Sequence, residues 1–236
     1  MDQPISTYRA FVDNLNIPWR DFMLSGSREC LSARAGRPLE LAPAPRELLF
    51  VASGHVRLYS GYPAGSRTLM LFMGPNCLIN MEAFEDTPSL FSRVVVTRPA
   101  VLYRLGIGKS SREEIIRRFP ALFVNAVQSL AAINLLFLYR AHALTFSTAQ
   151  SRLCRLLLNL HGGSPSQPEV TQKDMGDMIG VHPETVSRLL ASLRREGVIG
   201  KRKAGKIPLL DRPRLEARIR EEDGIQPWRH SHVRDA

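Results

Sequence analysis

The sequence predicts an α+β chain in three successive parts: a strand-rich N-terminal half, one long helix, and a C-terminal pair of short helices followed by a two-stranded ribbon. Three observations carry this. From about Cys30 to Leu105, short apolar runs of period two are separated by Gly/Pro turns, as in a sandwich or barrel. From Pro120 to about Leu144 apolar residues recur at spacings of three and four. Val170 to Ile199, VTQKDMGDMIGVHPETVSRLLASLRREGVI, reads as two short helices around a tight turn.

Residues 1–28 are expected to form an arm: Tyr8, Phe11, Val12 and Leu15 have helical spacing, and Pro18 ends the pattern. Residues 29–119 form the strand domain. Within it Glu47 to Ser60 reads as a hairpin turning at Ser53-Gly54, with Val56 and Leu58 alternating against Arg57 and Tyr59. Pro63-Ala64-Gly65 turns the chain into Thr68–Met73, Gly74-Pro75 breaks that strand, and Arg93–Val96 and Ala100–Leu105 supply two more. Ser110–Phe119 is a short amphipathic helix.

The long helix, residues 120–144, carries Phe123, Val127, Leu130, Asn134, Phe137, Ala141 and Leu144 as a heptad seam. One Asn in an apolar seam commonly fixes register between two partner helices. The alternative is a core helix within one chain. A dimer seam is favoured, because a palindrome-reading helix pair needs a twofold axis. Thr145-Phe146-Ser147 is the expected boundary to a domain of residues 145–224, with Ser147 and Gln150 as a capping box for helix Thr148–Leu160. Residues 225–236 are a polar tail.

In the C-terminal domain Thr171 can cap the first short helix, with Asp174 three residues on. Gly180 supplies the turn, Pro183 opens the second helix, and Gly176 sits where the two helices approach most closely. Val186, Leu189, Leu190 and Leu193 make the buried stripe, which leaves Glu184, Ser187 and Arg188 together on the opposite face. Arginine can take guanine O6 and N7, a carboxylate can accept from cytosine N4, and a hydroxyl can pair with either. These three are the expected base readers, against the plainer reading of a solvated face with one Glu–Arg pair. Val198-Ile199 and Ile207–Leu210 flank a basic tip and form a wing. Thr171, Lys201, Lys203 and Lys206 are the expected contacts to the DNA backbone.

The segment VTQKDMGDMIGVHPETVSRLLASLRREGVI resembles the DNA-binding segment of the cyclic-AMP receptor/fumarate-nitrate reductase regulator (CRP/FNR) family. Its E-T-V-S-R, Glu184 to Arg188, resembles that family's recognition motif, and the run ending GKRKAGKI leans toward the branch with regulators of reductive dehalogenation. The resemblance covers about residues 30–220. It implies a cyclic-nucleotide-binding-like β-roll that senses an effector, a dimerisation helix and a winged helix-turn-helix reading a TTGA-type palindrome, with RNA polymerase as a further partner. The implied mechanism is a population shift in which the effector rotates the DNA-binding domains about Thr145–Ser147.

Members that bind cyclic nucleotides resemble G-E-L at the phosphate turn and R-S or R-T shortly after it. This chain has Ile79-Asn80-Met81 and Leu90-Phe91 there, and Phe137-Leu138 where those members bond the base. A cyclic phosphate needs a charge-assisted partner, so cyclic AMP is disfavoured. Asn80, Met81, Phe91, Asn134, Phe137 and Leu138 are the expected effector pocket, suited to an aromatic ligand or a haem; Phe91 and Phe137 as plain core residues are the alternative. Iron–sulfur members resemble an N-terminal cysteine cluster that this chain lacks, so no such cluster is expected. Of the single haem-ligand candidates Cys77, His55, His142 and His161, Cys77 stands best, and no metal site is assigned.

Composition narrows the field. The chain carries 32 Lys+Arg against 22 Asp+Glu, a net charge of +10, and Arg194 to Arg214 gathers eight of the basic residues. Such clustering suits double-stranded DNA. Three separated cysteines give no disulfide framework, no leader is visible at the N-terminus, and the apolar run Leu130–Tyr139 is too short to span a bilayer, so a cytoplasmic homodimer with no membrane partner is expected. No Ser/His/Asp, metal or phosphate-loop constellation appears, and an enzyme is not expected. The rivals are a sensor acting through protein contacts and a cyclic-nucleotide-responsive regulator.

Overall fold

The computed structural model describes residues 11–25, 29–33, 39–41, 46–61, 67–85, 93–96, 99–162, 169–203 and 206–223. They belong to two compact units, one drawn from residues up to 135 and the other from residue 136 onward. The mixture of sheets and helices is the expected α+β class.

Among the described residues the first unit has the strands β1 (Phe11–Val12), β2 (Glu29–Ala33), β3 (Leu39–Leu41), β4 (Glu47–Ser53), β5 (Val56–Gly61), β6 (Arg67–Met73), β7 (Cys77–Ile79), β8 (Arg93–Val96) and β9 (Ala100–Gly106). They form a five-stranded sheet in the order β1-β6-β5-β8-β3 and a four-stranded sheet in the order β2-β9-β4-β7. On β5, Val56 and Leu58 are buried while Arg57 and Tyr59 are half-buried, the one-faced alternation of a strand over a core. Leu48 to Val51 on β4 are all buried, so both faces of that strand are covered.

Glu47 to Ser60 is therefore not a hairpin. β4 bonds to β9 and β7, whereas β5 bonds to β6 and β8. The turn at Gly54 carries the chain from one sheet to the other. Gly54 has φ +78, and a Cβ there would stand 2.5 Å from the Ala100 Cβ and the Pro99 carbonyl oxygen. The hydrogen-bonded hairpin is β5–β6, and its Pro63-Ala64-Gly65 loop lies outside the described residues.

The N-terminal segment also departs from expectation. Phe11–Val12 does not form a helix; it is an edge strand parallel to β6, opposite Phe72 and Met73. Tyr8 lies outside the described residues. A spacing of three and four over so few residues is a weak helix signal, and the open edge of β6 satisfies the backbone better. Pro18 does not end a helix but precedes one, α1 (Trp19–Leu24), with φ -58 and ψ -22. Between strand and helix, Asn16 is fully buried and bonded on all sides. Its amide donates to Asn125 Oδ1 at 3.0 Å and Ser129 Oγ at 2.6 Å, and its Oδ1 accepts from Leu78 N at 2.9 Å. Trp19 Nε1 donates to the Leu122 carbonyl at 3.0 Å.

After α2 (Lys109–Arg118), α3 runs from Pro120 to Phe146. It has two apolar faces. Leu122, Ala126, Ile133, Leu136 and Ala143 are buried along with Ser129, whereas Val124, Val127, Leu130, Leu135, Leu138 and Leu144 are exposed. Of the expected seam, Phe123 and Phe137 are half-buried and Val127, Leu130, Asn134, Ala141 and Leu144 exposed. The whole helix is long and apolar enough to cross a membrane by length and composition alone, which the short run Leu130–Tyr139 did not suggest.

The second unit continues with α4 (Ala149–Gly162), α5 (Gln172–Ile179), α6 (Pro183–Arg195) and α7 (Arg212–Asp223). Thr145 and Phe146 belong to α3, and Thr145 Oγ1 donates to the Ala141 carbonyl. The cap of α4 is Thr148, whose Oγ1 accepts from Ser151 N at 3.1 Å, in place of the expected Ser147.

Replacing Asn16 by Ala would strand the buried Leu78 amide without a polar partner and leave the Ser129 hydroxyl only its bond to the Asn125 carbonyl. Chemical denaturation should show a loss of about 1–3 kcal/mol, the range for orphaned buried donors.

Candidate nucleic-acid interface

The pair α5–α6 is held by three local devices. Thr171 Oγ1 accepts from Asp174 N at 3.1 Å while Asp174 Oδ2 accepts from Thr171 N at 2.8 Å, a complete capping box. Gly180 closes α5 in the left-handed region at φ 68. Gly176 lets the turn pass over the helix, since a Cβ there would stand 2.6 Å from the Val181 carbonyl oxygen. Pro183 then opens α6 from an extended His182.

Burial of Val186, Leu190 and Leu193, with Leu189 half-buried, turns the other face of α6 outward. Glu184 and Arg188 are exposed there and Ser187 is half-buried, so the three expected base readers share one accessible face. They do not pair with each other: Glu184 Oε2 lies 3.3 Å from His182 Nδ1, and Arg188 donates to Thr185 Oγ1 at 3.3 Å. Both contacts are long and lie at the surface, leaving carboxylate and guanidinium available to base edges.

The wing is a rudimentary ribbon, bridged at Ile199–Leu209 and Lys203–Lys206. Lys201, Lys203 and Lys206 are exposed along it, as expected. Other members of the basic cluster are structural. Arg202 donates to the Val170 carbonyl at 2.7 Å, Arg214 to the Glu196 carbonyl at 2.9 Å, and Arg212 pairs with Glu216 at 2.8 Å. Thr171 is exposed but its hydroxyl serves the α5 cap. Sequence reasoning missed Arg140 and Arg152. Arg140 Nη2 donates to the Asp177 carbonyl at 2.8 Å, and Arg152 Nε donates to the Ile179 carbonyl at 2.8 Å. The available signal was Arg140 itself, the one Lys or Arg in α3.

Comparison with known proteins agrees with this geometry. Residues 151–218 match the model of the Crp-like helix-turn-helix domain. The cyclic AMP receptor protein of Thermus thermophilus is 28% identical over 153 residues, 64% of this chain and 70% of that protein. The nitrogen fixation regulation protein FixK of Rhizobium meliloti is 24% identical over 192 residues, 79% of this chain and 85% of that protein. Residues 151–218 are thus a Crp-like helix-turn-helix domain, and the relatives of the longer chain support the CRP/FNR family. The chain is a transcription regulator with a helix-turn-helix DNA-binding domain. The fold matches FixK2 of Bradyrhizobium japonicum with a TM-score of 0.63 at 21% identity, over 81% of this chain and 96% of that one.

The residues expected to hold an effector are less unified. Asn80 is buried with φ 66, and its amide donates to the Glu47 carbonyl at 2.7 Å. Met81 is buried at the start of a 3-10 turn, Met81–Glu85. Asn134 and Leu138 are exposed on α3 and Phe137 is half-buried; Phe91 lies outside the described residues. Of the ligand candidates, His55 packs 5.3 Å from the Phe11 ring, His142 4.8 Å from the Phe146 ring, and His161 Nδ1 lies 2.9 Å from the Leu157 carbonyl. Among the described residues no three His, Cys, Asp or Glu side chains cluster as a metal site.

Cys77 is fully buried, and its thiol faces the Val12 carbonyl at 3.8 Å. Burial pushes the thiol up to about 12 from 9.0, so it is a protonated donor and not an open thiolate ligand. Titration of the native protein with a thiol reagent at about pH 8 should therefore modify exposed Cys30 quickly, and buried Cys77 and Cys154 only after denaturation. The unfolded chain releases the Cys77 proton near 9.0 while the native state keeps it to about 12. Stability is unaffected by this group below that window and falls as pH rises through it, and Cys77→Ser should flatten the alkaline loss.

Proposed function

We propose that the protein is a homodimeric regulator that reads a palindrome resembling TTGA…TCAA, with Glu184, Ser187 and Arg188 on base edges and Lys201, Lys203 and Lys206 on phosphates. The observation that carries the dimer is the outward face of α3, where Val127, Leu130, Leu138 and Leu144 stand 43–59% exposed in a row with Asn134 between them. Face-to-face pairing of two such helices removes that apolar surface from water and pairs the asparagines. A twofold axis along α3 places two recognition helices for half-sites about one helical turn apart.

The signal sensed by the strand domain is proposed to be a non-cyclic-nucleotide effector, such as an aromatic ligand, or a redox or haem signal, acting by population shift, with RNA polymerase as the downstream partner. The name of the Thermus relative favours a second reading, a cyclic-nucleotide-responsive regulator. Against it, the buried Asn80 amide is committed to the Glu47 carbonyl and brings no charge to the position where a cyclic phosphate needs one. A sensor acting only through protein contacts would lack the steep salt slope of phosphate binding.

Leu130→Glu should sediment as a monomer with an unchanged fold, because residue 130 touches solvent in one protomer and apolar surface only in two. Arg188→Ala should lose about 1–3 kcal/mol at the G·C pair of each half-site, and Glu184→Ala should relax preference there. Lys203→Ala should weaken matched and mismatched duplexes alike and reduce the salt slope by about one unit per protomer. Competition binding decides between these roles. An Arg188→Ala variant that keeps its base preference while Lys203→Ala loses it would reverse them.

A further inference from the structure

We infer that Arg140 is a positioning residue that seats the first DNA-binding helix on the seam helix, and thereby sets the half-site spacing the protein accepts. The inference rests on the dimeric reading above. The last turn of α5 presents carbonyls that no residue of the helix itself can satisfy. The Gly180 and Val181 amides take the Gly176 carbonyl. Asp177 and Ile179 are taken by guanidinium groups from two other helices: Arg140 of α3 reaches the Asp177 carbonyl, and Arg152 of α4 reaches that of Ile179. A cation at a helix C-terminus is also favoured by the helix dipole.

The two arginines do different work. Arg152 is 8% exposed and donates as well to the Ser147 carbonyl, bracing the start of α4 against α5. Arg140 is only part-buried, and it stands on the helix that carries the seam, between Phe137 and Leu144. Leu144 adds a steric stop one turn further on: its Cδ2 lies 2.7 Å from where a Gly180 Cβ would be. The α5 end and the Gly180 turn thus rest together on the last two turns of α3. Thr145–Ser147 is then not a free joint, because Thr145 is helical and the Ser147 carbonyl is held by Arg152. Whatever turns the end of α3 turns the base-reading face of α6 with it.

Spacing is the property this seat controls. Changing the separation of two half-sites by one base pair rotates them by about 36° and shifts them by about 3.4 Å. A recognition helix locked to the seam cannot follow, whereas one held only by the chain can. Wild-type protein should therefore bind its best spacer on the order of tenfold or more tightly than spacers one base pair longer or shorter. Arg140→Ala should flatten that preference to about threefold or less, while keeping the sedimentation of a dimer and the affinity of wild type for an isolated half-site. Arg140→Lys keeps a charged donor and should restore much of the preference, which a loss through misfolding would not permit.

The test measures binding of the full-length wild-type, Arg140→Ala and Arg140→Lys proteins to single half-sites and to palindromes of graded spacer length, with sedimentation in parallel. Flattening in the alanine variant and recovery in the lysine variant is the expected result. An alanine variant that keeps the wild-type spacer preference overturns the role of Arg140 and leaves the dimer standing. One that loses half-site affinity as much as palindrome affinity shows Arg140 to be merely structural and overturns it too. A wild-type chain that sediments as a monomer and binds single half-sites as tightly as paired ones overturns the dimer and the inference together.

Discussion

The contact between Gly176 and the Val181 carbonyl is the constraint on which the DNA-reading surface depends. Any side chain at 176 would meet a backbone oxygen at 2.6 Å, and backbone has nowhere to go. Because that approach is open, α5 and α6 can cross tightly over a turn of only a few residues. The crossing buries Val186, Leu190 and Leu193, and burying them forces Glu184 and Arg188 outward. The outward face of α6, proposed to read bases, is thus a consequence of a missing Cβ beneath the other.

The long helix works under a different constraint, since it must serve two apolar surfaces at once. Its inner stripe is buried, while the outer stripe remains exposed. Polar groups mark where it is tied down. Asn125 and Ser129 meet Asn16 near the start, and Arg140 meets the Asp177 carbonyl near the end. Each of these is a specific geometry on an otherwise non-directional surface. Within its own unit, each fixes the rotational setting of the stretch of helix that carries it, where an apolar cylinder could otherwise turn about its axis at little cost.

The helix-turn-helix was legible because all its determinants are local. Cap, glycines, proline and stripe fall within about thirty residues and obey rules of helix geometry that hold in any fold. The strand domain was legible only in outline. Period two tells which residues of β5 point inward and the continuous apolar run marks β4 as covered on both faces, but an apolar run, a turn and an alternating run serve a hairpin within one sheet or a crossing between two, and Gly54 fits both. Phe11 and Val12 were misread because four apolar residues at spacings of three and four are too few to set a period; their partner, the edge of β6, is some sixty residues away. Arg140 and Arg152 escaped because backbone carbonyls accept whatever the sequence at that position is, so their partners leave no trace in composition. The effector site is the least legible part. Asn80 and Met81 were recognised as departures from a pattern, and a departure shows what a pocket lacks more readily than what it holds.

Two copies of this chain are proposed to read DNA as a symmetric pair. Selection of bound duplexes from a random pool, followed by hydroxyl-radical footprinting of the enriched sequence, tests it most directly. The expected result is a palindrome with TTGA-like half-sites, protected on one face of the duplex at two positions about one helical turn apart. Enrichment of a single unpaired half-site with one protected patch, or no enriched sequence at all, would contradict it.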